Sequence, residues 1–194
     1  MTRTIGETKM AIGLLLIDIQ RDYFPGGKME LEGSEAAGEA AGRLLQTFRE
    51  KHLAVTHVQH VSVRPGATFF LPDTPGVELH PSVQPLEGEP IIQKHFPNSF
   101  RQTDLLSRLQ EDNIQRLVVA GMMTHMCVDA SVRAAADLGF ECWIAQDACA
   151  TRQLKFQGRS VAAQDVHTAF LAALNGTYGR VMTVEMILRG LDLA

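Results

Sequence analysis

The sequence predicts a three-layer, doubly wound α/β domain with helices on both faces of a mostly parallel, six-stranded sheet. Three observations carry that reading. Six strand-length apolar runs alternate with segments of helical period, and repeated β-then-α units with right-handed crossovers build a parallel sheet. Reactive residue types recur at or just past the ends of those runs, where sheets of this kind place their ligand crevice. The 194 residues show no internal repeat, low-complexity tract or linker, so residues 1–194 read as one domain with a substantial core.

Each element has a local reason. Residues 11–18 are a continuous apolar run ending in Asp18, the composition of a buried parallel strand. Residues 33–51 are Ala-rich with apolar positions on one face, and predict a helix. Residues 53–60 are rich in β-branched side chains and predict the second strand. Residues 61–88 hold many Pro and Gly with no period, so a long structured loop is expected, and such loops usually carry function. A short strand over 90–93 precedes a helix over 104–110, with Leu105, Leu106 and Leu109 at helical spacing. A strand over 116–121, a helix over 127–138 and a strand over 140–145 follow. Residues 159–174 predict a helix and 180–183 a last strand, with Thr183 as N-cap of a closing helix through residue 188.

Composition removes several function classes. The net charge is −4, with no basic stripe to attract nucleic acid. The apolar run over 10–17 is too short to span a bilayer, and it lacks the basic leader and cleavage site of a signal peptide. No membrane partner is therefore expected. Cys127, Cys142 and Cys149 are odd in number and form no CxxC, which makes a reducing cytoplasm the default. The glycine-rich phosphate loops and the GxSxG elbow are missing from the sequence.

The chemistry concentrates in three fragments. In residues 118–129 an apolar strand runs through Gly121 into a turn, and Cys127 stands where a helix begins. Unpaired backbone N–H groups and the helix dipole would lower a thiol pKa there and make a nucleophile. Asp18 ends the first strand, and Lys94 ends the short middle one. Singly, each has an ordinary reading: a small buried hydrophobe, a turn residue, a solvated cation. Their convergence on one crevice is what points to catalysis. Cys142 sits inside a strand beside Trp143 and reads as core, as does His167 on its helix; Cys149 reads as packing or as pocket wall.

Residues 15–24 (Leu-Leu-Ile-Asp-Ile-Gln-Arg-Asp-Tyr-Phe), 93–100 (Gln-Lys-His-Phe-Pro-Asn-Ser-Phe) and 121–130 (Gly-Met-Met-Thr-His-Met-Cys-Val-Asp-Ala) together resemble the isochorismatase-like cysteine hydrolases. The resemblance runs over about residues 9–184. It implies a parallel six-stranded α/β fold and a triad of Asp18, Lys94 and Cys127. Cys127 would attack an amide-type carbonyl. Asp18 would shuttle the proton, and Lys94 would hold Asp18 ionised and stabilise the thiolate. A cis peptide between Met122 and Met123 is implied, with the backbone N–H groups of Met123 and Cys127 facing the oxyanion.

Metal-binding members of that family carry an Asp and His pair after the second strand and a further His. Here Val58 stands at the Asp position, the later His position falls near Phe69 and Phe70, and only His60 matches. No metal and no other cofactor is expected, since one ligand does not hold a divalent ion. With Cys127 present, cleavage of a C–N bond (amide, ureide or lactam) in a small molecule is favoured over isochorismate-type ether cleavage. A thiol redox sensor and a scaffold without activity are the alternatives. Tyr23, Phe24, His60, Phe69 and Phe70 are expected in the pocket wall, with Gln20 orienting the acid. Thr124 is expected to stabilise the turn before Cys127, and His125 to reach substrate. The resemblance further implies a homodimer or homotetramer.

Overall fold

The computed structural model describes residues 10–192; the rest of the span 1–194 lies outside the described residues. The first strand, β1 (Ile12–Ile17), is buried along its whole length. It is followed by α1 (Ser34–Glu50), β2 (Ala54–His60), β3 (Ile91–Lys94), α2 (Leu105–Glu111), β4 (Arg116–Met122), α3 (Asp129–Asp137) and β5 (Glu141–Ala150). A small hairpin, β6 (Leu154–Phe156) with β7 (Arg159–Val161), precedes α4 (Ala163–Leu174), β8 (Arg180–Met182) and α5 (Val184–Asp192). The six-stranded sheet has the order β3-β2-β1-β4-β5-β8, parallel throughout. The chain winds outward from β1 to β3, returns to the other side of β1 at β4, and winds on to β8. The direction of winding reverses between β1 and β4, so their carboxyl ends frame the crevice.

The period-2 geometry of β1 divides the core into two halves. Ile12, Leu14 and Leu16 pack beneath α1 and α5 with Leu44, Phe48, Ile187 and Leu191. Leu15 and Ile17 face the opposite layer with Leu105, Leu109, Val132, Leu171 and Leu174 from α2, α3 and α4. The continuous apolar run over β1 is thus the mark of a strand covered on both faces. Thr183 caps α5 as expected, its Oγ1 accepting from Met186 N at 3.2 Å, and the helix runs on to Asp192.

Two segments depart from the sequence reading. The expected helix over 159–174 begins only at Ala163, because residues 159–161 pair back on β6. Gln157 and Gly158, both at positive φ (48° and 78°), make the two-residue turn that joins these strands. The expected strand over 140–145 continues to Ala150, through a register shift against β4 that falls between Val119 and Gly121. Gln146 and Asp147 interrupt the apolar run at this bulge, which hides the continuation.

Gly121 is dictated by close approach. It lies beside Ile17 in the register, at φ 146°, and a Cβ there would come 2.1 Å from the Ile17 carbonyl oxygen. Gly121→Ala should therefore cost about 3 kcal/mol or more through strain and overpacking. A urea unfolding midpoint unchanged by the substitution would contradict this.

Candidate active site

Register delivers the site. His60 and Lys94 are direct partners at the carboxyl ends of β2 and β3. Asp18 is the first residue past β1, in the left-handed region at φ 52°, with its N–H donating to Val58 O at 3.0 Å. Cys127 lies five residues past β4 in a wide π-helical turn, Thr124–Val128, that leads into α3. The Met122–Met123 peptide entering this turn is cis. The N–H groups of Met126 and Val128 donate to Met123 O. Among the described residues, the Met123 N–H has no backbone acceptor.

These elements bring Asp18, Lys94, His60 and Cys127 together. Lys94 Nζ donates to Asp18 Oδ2 at 2.6 Å, with both side chains fully buried. It also donates to His60 Nδ1 at 3.1 Å. Ligand atoms of Asp18, His60 and Cys127 all lie within 4.8 Å of one another. Asp18 Oδ1 is buried without a hydrogen-bond partner among the described residues. It is an open acceptor in the same nest as the thiol.

The electrostatics correct one expectation. The Cys127 thiol is not acidified: burial first, then the Asp18 carboxylate, push its pKa well up, and Lys94 opposes the rise. The turn directs Sγ into a buried position beside a negative charge, and desolvation outweighs the helix terminus. The resting thiol is thus neutral and would need a base to ionise. Lys94 is held above the usual lysine range: burial alone would lower it, but Asp18 and Cys127 outweigh that. Burial, with Lys94 adding to it, brings His60 down to about 4, so its imidazole is neutral.

Asp18, His60 and Cys127 have the donor chemistry for a thiophilic metal. However, the Lys94 ammonium already stands within hydrogen-bond distance of Asp18 and His60, where a cation would have to sit. The set does not fit a metal while Lys94 is charged.

A cavity of about 470 Å³ opens over Cys127. Its walls include Tyr23, His60, Phe69, Phe70, His95 and Met123. Phe70 packs edge-on against Tyr23, ring centroids 4.6 Å apart, and its N–H donates to the Asp22 carboxylate at 2.6 Å. Asp22 also accepts from Lys28 N, and a Cβ on Gly76 would collide with its carboxylate. Asp22 therefore ties down the loop that carries the aromatic wall. Sequence reasoning missed this role, although a buried acid one residue before Tyr23 is the sort of signal that could have shown it. Met126, Phe96 and Pro97 also line the cavity and went unread, although all three lie inside the quoted fragments.

Gln20, Phe24 and His125 stand elsewhere than expected, while Thr124 braces its turn as expected and does not line the cavity. Gln20 does not orient Asp18: its Nε2 donates to His60 O and Val77 O, and its Oε1 accepts from His60 N, so it clamps the end of β2. Phe24 turns away from the cavity, stacks on His80 at 3.5 Å and lies against Gly38 of α1. Thr124 Oγ1 donates to Ala150 O, bracing its turn against β5, and is fully buried. His125 Nδ1 lies 2.6 Å from Thr151 Oγ1, away from the cavity. Cys149 lines a separate cleft with His167, and Cys142 is in the core.

Burial holds His57, His60, His80, His125 and His167 all below the ordinary histidine value. Between about pH 6.5 and 4 the unfolded chain therefore binds more protons than the folded one. The stability these groups contribute is present above about 6.5 and is lost as pH falls through their folded values. The urea midpoint should fall steadily across that window; a flat midpoint would contradict the burial of these rings.

Fold and site together define a doubly wound α/β protein with a buried thiol, carboxylate and ammonium at the topological switch point. The chain belongs to the isochorismatase family of hydrolases: the isochorismatase domain model matches residues 13–186. It is 52% identical over 180 residues to the uncharacterized isochorismatase family protein YddQ of Bacillus subtilis, covering 93% of this chain and 100% of that one. A crystal structure of a putative isochorismatase hydrolase from Oleispira antarctica superposes with a TM-score of 0.89 at 48% identity, covering 94% and 98% of the two chains. Maleamate amidohydrolase of Pseudomonas putida is 26% identical over 184 residues, covering 88% of this chain and 82% of its own.

Proposed function

We propose that the protein is a cysteine hydrolase that cleaves a C–N bond of a small molecule through an acyl-thioenzyme. The carrying observation is the buried nest in which a neutral thiol, an open carboxylate oxygen and an ammonium meet beneath one cavity. Asp18 Oδ1 takes the Cys127 proton as Sγ attacks the carbonyl carbon. The tetrahedral oxyanion is met by the N–H groups of Met123 and Cys127, that of Met123 having no competing backbone acceptor among the described residues. The C–N bond breaks as Asp18 returns the proton to the leaving nitrogen. Asp18 then takes a proton from water, hydroxide attacks the thioester, and the acid leaves as Cys127 regains its proton. Lys94 offsets negative charge on Asp18 and the thiolate in turn.

The name of the maleamate amidohydrolase relative supports amide chemistry in the family. The aromatic wall of Tyr23, Phe69 and Phe70 favours a substrate with a planar or apolar part. A thiol buried and held neutral gives no support to a redox sensor, which needs an accessible thiolate. The proposal is tested by ammonia or amine release from a panel of nicotinamide, carbamoyl amino acids, ureides, biuret, small lactams and half-amides of dicarboxylic acids. Release by metal-stripped protein supports it; release that requires added metal overturns the metal-free form.

A further inference from the structure

Resting on the triad reading above, we infer that His60 is a positioning residue for Lys94: a neutral imidazole whose Nδ1 accepts from the ammonium and fixes its charge between Asp18 and Cys127. Lys94 has three N–H donors and sits fully buried. One goes to Asp18 Oδ2 at 2.6 Å and one to His60 Nδ1 at 3.1 Å, which leaves the third for the Cys127 sulfur beside it. A buried ammonium stays charged only while its protons are taken up, and an acceptor for the charged form favours that form.

His60 is itself held with unusual care. Gln20, fully buried, accepts from His60 N at 2.8 Å and donates to His60 O at 2.9 Å, so one amide grips both backbone groups of the residue. The ring lies against Phe70, centroids 6.0 Å apart. Because Lys94 can only donate, Nδ1 must be the unprotonated nitrogen and Nε2 must carry the hydrogen. The charged and titratable groups around this ring are Asp18, Lys94, His95 and Arg64; Cys127 and Tyr23 share the cavity with it.

Removing the acceptor leaves a buried N–H unsatisfied and weakens Lys94's hold on its proton. The thiolate then loses part of its counter-charge. The test is the rate of Cys127 alkylation by iodoacetamide, read by peptide mass spectrometry on the full chain. His60→Ala should slow alkylation at least threefold, although the truncation widens access. His60→Asn, whose Oδ1 stands in for Nδ1, should come back to within twofold of the wild-type rate. An unchanged or faster rate in His60→Ala, or equal losses in both variants, overturns the inference. Lys94→Met tests the underlying reading: if it slows alkylation while His60→Ala does not, only the role of His60 falls. If Lys94→Met leaves the rate unchanged, the triad falls and the inference with it. Should the variants fail to fold, ¹⁵N NMR of the wild-type protein still decides. His60 must be the neutral Nε2–H tautomer at neutral pH, and an imidazolium or the Nδ1–H tautomer overturns the inference.

Discussion

Cys127→Ala and Asp18→Asn are each expected to lower amide hydrolysis by about 10⁴-fold or more, with Cys127→Ala changing stability by only about 1 kcal/mol. The two losses share one cause. The thiol is pushed up by burial and by the neighbouring carboxylate, so it does not ionise unaided. Asp18 Oδ1, buried and without a hydrogen-bond partner among the described residues, is the acceptor proposed for that proton. An amide at Asp18 preserves shape but cannot take the proton, so Asn there leaves Cys127 intact and inactive. The double variant should be hardly slower than either single one, because groups that act as a unit are not additive. A kcat measured with both single variants checks this, and substantial turnover in either contradicts the proton path.

Lys94→Met should lower stability by about 3–5 kcal/mol, because it strips the partner from a buried carboxylate. For a chain of this size that corresponds to a fall of roughly 6–20 °C in Tm. Asp18→Asn combined with Lys94→Met should recover most of the loss, since the stranded charge is gone. The pH dependence has a definite sign. Lys94 is held above its unfolded value, so the contribution of the pair is complete below about pH 10.4 and lost as pH rises through the folded value. A Lys94→Met protein as stable as the wild type would mean that the pair at 2.6 Å contributes nothing net to the fold.

Much of this architecture is legible in the sequence. Apolar runs such as residues 12–17 can be satisfied only by a strand covered on both faces, and the helices between them follow from periodicity. The hidden parts depend on contacts distant in sequence. Asp18 and Lys94 meet across 76 residues, and His60 reaches Lys94 only through the register of β2 on β3. Closeness in sequence also misleads. Gln20, Phe24 and His125 all lie near Asp18 or Cys127 in the sequence, yet local backbone geometry turns them toward β2, α1 and Thr151 instead of the cavity. That a helix begins near Cys127 is visible in the sequence; the π-helical turn that carries the residue ahead of α3, and the burial and adjacent carboxylate that raise the thiol, are not. The hairpin at Gln157-Gly158 hides because its second strand, residues 159–161, runs straight into α4 and reads as that helix's first turn.

The most direct test of the central claim is intact-mass analysis of the protein quenched in acid during turnover of an amide from the panel. The account predicts a transient mass increase equal to the acyl part of the substrate, mapping to Cys127 and absent in Cys127→Ala. Turnover with no adduct, undiminished in Cys127→Ala, would contradict it.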